Sequence, residues 1–404
     1  MKRLELLAPA GDFEKLKTAL YFGADAVYVG GKSLTLRAFA GNFDDAEMER
    51  AVKYTHERGK KLYVAVNILA RNADLGEAAD YFAFLQSVGA DGVIVSDIGL
   101  MNVLKRVAPR LPLHVSTQTS ALNAETVKFY ADFGARRVVL ARELSLKEIA
   151  EIHAAVPQTE IEAFAHGAMC IAYSGRCLLS SYLSGRDSNR GECVQPCRWS
   201  YELREKNTAG EYLPIEEDGR GTYILNSKDL NMLDHLGEMA QSGVVSFKVE
   251  GRMKSSYYIA TVINAYRRAL DAYAAEGERY KENPLYQSEL KKTAHRAFTS
   301  AYASGKNDDT VNAADSQSRG ERTFAAAVLG YDGENRRALV EMRNRFKKGD
   351  VLEVLSPNET LNAKIAVKGL TDEAGNAVED AKLVQQKLWL YTDIKLSAGD
   401  ILRK

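Results

Sequence analysis

Apolar residues occur in short, dense runs over the first two-thirds of the chain. Longer stretches separate them, in which apolar positions keep to one helical face. Runs at 5–11 (ELLAPAG), 25–31 (DAVYVGG), 61–67 (KLYVAVN) and 91–97 (DGVIVSD) have nearly continuous apolar centres. This is the pattern of strands buried on both faces. Further strands are predicted at 112–118, 136–143, 160–167 and, after a long gap, 245–252. Between them, Phe13, Leu16, Ala19 and Leu20 share one face of a helix. Val52, Tyr54 and Thr55 lie in a second helix that starts at Asp44–Asp45. Gly23, Gly59, Gly89 and Gly134 fall where helix C-terminal caps belong. Eight strands alternating with helices predict an α/β fold, a TIM-like (β/α)₈ barrel distorted by the insertion before its last strand. The alternative is an open doubly wound sheet, but PAGD rather than GxGxxG follows the first strand.

Residues 198–224 read as an inserted hairpin region, and 255–306 as helices. A polar stretch at 306–322 separates this part from five short strand patterns divided by DG, KKGD, SPNE, EAGN and SAGD turns. These predict a small C-terminal β-barrel. The expected domains are 1–318, carrying the chemistry, and 319–404, a candidate RNA-binding unit.

Charge narrows the partners. Fifty-four basic and 54 acidic residues give a formal net charge of zero, which excludes a highly basic, electrostatically driven nucleic-acid binder. A local patch stays open, and Arg343, Arg345, Lys347 and Lys348 form one, or else a solvated hairpin. No run approaches the roughly 20 apolar residues a membrane span needs, and the expected location is cytoplasmic.

All four cysteines lie in one stretch, as Cys170-x₆-Cys177-x₁₅-Cys193-x₃-Cys197. A reducing compartment disfavours structural disulfides, so the cluster points to metal or redox chemistry. Four thiolates suit a [4Fe–4S] cluster or a zinc site. The wide first spacing and the Ser/Gly-rich loop favour the cluster, with zinc as the alternative. Cys170 directly follows the seventh strand, where barrel active sites are built.

Several segments resemble a known family. EAFAHGAMC (162–170) with GRCLLS (175–180) resembles the signature of the collagenase-like peptidase U32 family. The opening (6–31), RAFAGNF (37–43), ARELS (141–145) and KVEGRMK (248–254) are similar to further family blocks, and NRFKKGDVLEVLSP to the extra domain of longer members. In length and architecture the chain resembles the members that hydroxylate tRNA. That resemblance implies conversion of wobble uridine to 5-hydroxyuridine, prephenate as co-substrate and hydroxyl donor, and a [4Fe–4S] cluster on the four cysteines. It also implies the tRNA anticodon arm as partner, together with an electron donor. The family name implies proteolysis, yet the chain has no HExxH, and Ser174 lies in AYSGR rather than in a GxSxG elbow. A non-catalytic RNA-binding factor with a structural metal site is the third reading.

Other candidates carry a functional and a structural reading. His166 and Glu162 are the candidate catalytic acid–base groups, or else a hydrogen-bonded core histidine and an orienting carboxylate. Arg37, Arg142, Lys248 and Arg252 lie at strand ends, as substrate-carboxylate or phosphate ligands, or as rim ion pairs. Asn67 and Gln118 close two strands as hydrogen-bond donors to a substrate, or satisfy loop backbone. Tyr257, Tyr258 and Tyr266 at helical spacing read as core rather than as base-stacking rings.

Overall fold

In the computed structural model, residues 4–37, 40–170, 172–199, 217–218, 221–222, 227–305 and 318–404 are described. Strands β1 (Glu5–Pro9), β2 (Ala26–Gly30), β3 (Lys61–Val66), β4 (Gly92–Val95), β5 (Leu113–Val115), β6 (Arg137–Val139) and β7 (Glu160–Ala168) run parallel and side by side. Helices α1 (Phe13–Tyr21), α2 (Asp45–His56), α3 (Asp74–Ser87), α4 (Ile98–Val107), α5 (Ala124–Phe133) and α6 (Leu146–Ala155) connect them. The sequence sets many of these boundaries locally. Asp12, Asp44, Asp97, Asn123 and Ser145 each cap a helix by accepting a hydrogen bond from a first-turn backbone N–H. Gly134 closes α5 in the left-handed conformation, which glycine adopts without steric cost.

The insertion after β7 holds α7 (Leu179–Ser184), β8 (Glu217–Asp218), β9 (Gly221–Thr222), β10 (Asp229–Asn231) and α8 (Leu236–Gln241). β11 (Val244–Val249) then pairs in parallel with both β1 and β7 and closes the eight-stranded barrel. The predicted strands agree with those observed to within a few residues at each end. Of the expected hairpin at 198–224, β8 pairs antiparallel with β9. Most of the rest lies outside the described residues.

Alternation divides the barrel residues. Leu6, Ala8, Val27, Val29, Leu62, Val64, Val93, Val95 and Val115 face outward into the core under the helices. Leu7, Ala26, Tyr28, Tyr63 and Ile94 pack together in a separate inner cluster. The interior is also strongly polar. Arg137 contacts Glu5 at 2.6 Å, Glu160 at 2.8 Å and Glu162 at 3.0 Å, and Tyr63 Oη donates to Glu5 at 2.8 Å.

After β11 come α9 (Ser256–Glu276), α10 (Pro284–Lys291) and β12 (Phe298–Thr299). The helix expected beyond residue 284 thus stops early. Arg296 clamps Asp229 through its backbone N–H and guanidinium, at 2.7 to 3.1 Å. Phe298 then pairs beside Asp229, so tertiary bonds hold this segment extended. Tyr257, Tyr258 and Tyr266 are buried on α9 and offer no ring to a base.

The C-terminal part is antiparallel: β13 (Phe324–Asp332), β14 (Arg337–Met342), β15 (Phe346–Lys347), β16 (Val351–Leu355), β17 (Lys364–Ala366), β18 (Leu370–Asp372), β19 (Ala377–Val378), β20 (Asp380–Ala381), β21 (Lys387–Tyr391) and β22 (Ile401–Arg403). Eight of these form one sheet in the order β17-β16-β22-β13-β14-β21-β18-β19, curled round its own apolar core. β15 pairs with β20. Leu355 and Ile401 join the barrel's core instead, and Arg403, fully buried, bonds Glu289 of α10 at 2.8 Å. No helix among the described residues is long and apolar enough to cross a membrane.

Candidate functional site

The C-terminal ends of the barrel strands surround a cavity of about 1060 Å³, counting its open mouth. All four cysteines line it. Cys170 is exposed, the other three are half-buried, and none forms a disulfide. The Cys197 thiol is pushed up to about 11, first by burial and then by the like charge of Cys170, Cys193 and Cys177, against the opposing Arg198. Among the described residues, no three His, Cys, Asp or Glu side chains form a group able to hold a metal ion.

Local chemistry shapes the loop that carries these cysteines. Gly175 sits at φ +80, and a Cβ there would lie 2.3 Å from the Gln118 carbonyl oxygen. Only glycine lets the loop press onto the end of β5. Ser120 Oγ donates to the Ser174 carbonyl at 2.9 Å, and Ser188 Oγ and Asn189 Nδ2 donate to the Cys177 carbonyl at 2.8 and 3.2 Å. Arg190 fixes the far side through Asp74 at 2.7 Å.

The same cavity is lined by cationic side chains. Arg37, Arg142, Lys248 and Arg252 line the cavity with a single carboxylate, Glu250; Lys248 is paired with Glu162 behind the wall, so the three arginines leave a surplus of two positive charges. Glu250 lies 3.7 Å from Arg37 and 3.9 Å from Arg142. Burial alone would raise its pKa, but Arg37, Arg142, Arg252 and Lys248 together hold it below the usual carboxylate range. Arg142 stacks 3.8 Å from the centre of the Phe164 ring. Arg252 donates twice to Thr35 Oγ1, at 3.0 and 2.9 Å, while its buried Nε has no partner. Burial brings Arg252 down to about 10, so it is charged at neutral pH. Asn67 Oδ1 accepts from the Leu36 backbone N–H at 3.2 Å, and Gln118 lines the cavity with its Oε1 unpartnered.

Two candidates are not brought to this cavity. Glu162 is fully buried inside the barrel, bonded to Lys248 at 2.7 Å, Arg137 at 3.0 Å and Ser246 at 3.3 Å. It is a neutralised structural anion with no open path to a substrate. His166 lies behind the wall among Tyr258, Tyr266 and Phe298, and burial pushes it down to about 3. Such an imidazole stays neutral at physiological pH and cannot exchange protons with the cavity. The cause is strand geometry: the chain has a bulge between Lys248 and Val249 where β11 meets His166, and α9 covers that face. Conversely, Tyr28, Phe164 and Glu250 line the cavity although the sequence reading did not select them. Inward alternation along β2, β7 and β11 was the available signal.

The basic C-terminal patch is largely neutralised. Arg343 pairs with Glu341 and Glu14, Arg345 with Asp380, and Lys348 with Glu379.

Comparison with known proteins agrees with this architecture. The pattern of peptidase family U32 matches residues 11–313, and that of the family's C-terminal domain matches 321–403. The chain is 40% identical over 410 residues to tRNA hydroxylation protein P1 of Bacillus subtilis, covering 100% of this chain and 95% of the relative. It is 35% identical over 445 residues to tRNA hydroxylation protein P of Escherichia coli, covering 100% and 97%. A collagenase of Porphyromonas gingivalis is 32% identical over 315 residues, covering 75% of this chain and 74% of the relative. With both parts of the family architecture matched in order, the chain belongs to peptidase family U32.

Proposed function

We propose that this protein is an RNA-modifying enzyme that hydroxylates the wobble uridine of tRNA to 5-hydroxyuridine, with prephenate as hydroxyl donor. The reading is carried by one observation: four cysteines and four cationic side chains line a single cavity at the barrel mouth. The relatives that align over the whole chain, C-terminal part included, are named as tRNA hydroxylation proteins.

Prephenate carries two carboxylates, and the wall's three arginines exceed its one carboxylate by two charges. Arg37 and Arg142 offer planar, bidentate donors for such groups. Lys248 adds a point charge at the cavity floor, fixed by Glu162. Asn67 and Gln118 offer amide groups that match the carbonyl and imide edge of a uracil. The target base must leave its stack to enter. Cys170, Cys177, Cys193 and Cys197 are the residues that would hold a [4Fe–4S] cluster: four thiols on one cavity are the donor chemistry it takes, although here they are not drawn together into a metal-holding group. When bound, the cluster supplies redox-active iron beside the substrate, fed by an electron donor. Zinc is the other occupant these donors accept.

The family name and the collagenase relative raise proteolysis as a second reading. Hydrolysis needs an activated nucleophile or an open metal site. No histidine lines the cavity among the described residues, and Glu250 is held ionised by surrounding arginines. The deciding experiment is nucleoside mass spectrometry on tRNA from a strain lacking the gene. Loss of 5-hydroxyuridine derivatives, restored by the intact gene, supports the proposal. Unchanged tRNA together with cysteine-dependent gelatin cleavage by the purified protein would replace it with the peptidase. Restoration by a cysteine-free variant would reduce the metal site to a structural one.

A further inference from the structure

The loop that carries the cysteines also presents unusually large apolar side chains to solvent. Tyr182 is 87% exposed, Leu178 70%, and Tyr173 and Trp199 46% each. All four lie on the cysteine-bearing segment 172–199. α7 turns Leu179 into the cavity and Tyr182 outward. α7 also packs against the short turn Pro196–Arg198, which leads directly into Trp199. Tyr173 lines the cavity itself, and exposed Arg176 is three residues further on. Exposed aromatic residues concentrated at a cavity mouth mark a contact surface rather than scattered surface apolarity.

Charge identifies the partner. Residues 172–199 carry four arginines against one aspartate and one glutamate; Arg190 is paired with Asp74, Arg176 is exposed, and the cavity behind them has its own cationic surplus. Aromatic rings interleaved with arginine form the usual surface for unpaired nucleotides, with rings for base faces and guanidinium groups for phosphates. The alternative docking patch in the C-terminal part has most of its cations neutralised by neighbouring carboxylates. We propose that Tyr173, Tyr182 and Trp199 form a stacking platform for the bases of a single-stranded RNA loop that flank the base entering the cavity. A nucleotide drawn out of its stack leaves its neighbours without partners, and rings on the rim replace them. This inference rests on the RNA-modifying reading and adds the surface that holds the substrate.

The test uses the full chain and a fluorescent RNA hairpin with a uridine-containing single-stranded loop. Tyr182→Ala and Trp199→Ala should each weaken binding by roughly 5- to 100-fold, while Tyr182→Phe, which keeps the ring, stays within about twofold of the parent. Both side chains are exposed, so unchanged circular dichroism and melting serve as the folding control. Ultraviolet cross-links to the bound hairpin should fall within 173–199. Parent-like affinity in both alanine variants, or cross-links confined to 319–404, overturns the platform. The deletion-strain tRNA measurement is independent. If it shows lost hydroxylation while the alanine variants bind normally, the platform fails and the function stands. If tRNA is unchanged, the function fails on its own terms.

Discussion

Lys248 Nζ and Glu162 Oε1 stand 2.7 Å apart inside the barrel, yet only the lysine reaches the cavity. Glu162 also accepts from Arg137 at 3.0 Å, which Glu5 and Glu160 share, so this fully buried carboxylate ties Lys248 into a larger ion network. Removing one partner of a buried ion pair strands the other. Glu162→Ala is expected to lower stability by about 3–5 kcal/mol, read as a shifted urea midpoint. A catalytic base at this position would instead show lost tRNA modification at unchanged stability.

The two buried histidines set a pH dependence. Burial holds His166 near 3 and His114 well below 6.5, so each stays neutral in the fold but gains a proton when unfolded below about 6.5. The unfolded state then binds more protons, and stability falls as pH drops from 6.5 towards the folded values. Each group contributes a slope of about 1.4 kcal/mol per pH unit in that window. Glu162 and Glu250, held below 4.5, add loss of the same sign only at still lower pH. His166→Gln should roughly halve the slope between about pH 6.5 and 5, measured by denaturant unfolding across that range. An unaltered slope would assign it to other groups.

The arginines of the wall should act on the co-substrate rather than on the fold. Arg142 and Arg37 touch the single carboxylate of the wall at 3.9 and 3.7 Å, longer than tight ion pairs. A stronger anion can draw them away. Arg37→Ala is expected to raise the KM for prephenate by about 10- to 100-fold, the value of a lost charge-assisted hydrogen bond. Arg142→Lys keeps the charge but loses the fork and the stacking on Phe164, so it should be only partly active. Steady-state assays with transcribed tRNA check both, and unchanged KM in both variants rejects the dicarboxylate assignment.

Anaerobically purified protein should be brown and contain iron and acid-labile sulfide. Cys193→Ser should lose the visible absorption and most of the iron, and tRNA modification with it. Colourless protein with stoichiometric zinc would reject the cluster.

Arg403 joins the two parts of the molecule. It has no solvent exposure and contacts Glu289 of α10 at 2.8 Å and Glu353 of β16 at 2.7 Å, with Lys292 also on Glu353 at 2.8 Å. Arg403→Ala leaves Glu289 and Glu353 sharing Lys292 at this joint and is expected to cost about 3 kcal/mol. Calorimetry should then resolve two transitions in place of one, as the C-terminal sheet uncouples from the barrel.

Much of this was legible along the chain because its causes are local. Short, nearly continuous apolar runs placed all eight barrel strands, and Asp44–Asp45 marked the start of α2, where Asp44 is the cap. The clustering of four cysteines after β7 placed the loop at the barrel mouth, since strand direction alone fixes which end a following loop occupies. The helix expected beyond Lys291 was not legible, because the Arg296–Asp229 clamp joins residues 67 positions apart.

The sequence by itself determined the barrel, the order of its strands and the end at which chemistry would gather, because alternation and capping act over a few residues. Only the tertiary structure decided which charged groups reach the cavity. Glu162 and His166 sit in the same family-like segment as Cys170, yet one turns into the barrel's ion network and the other towards α9. That choice depends on strand register and on partners such as Arg137, Lys248 and Tyr266, which lie 25 to 100 residues away and meet only when the barrel closes.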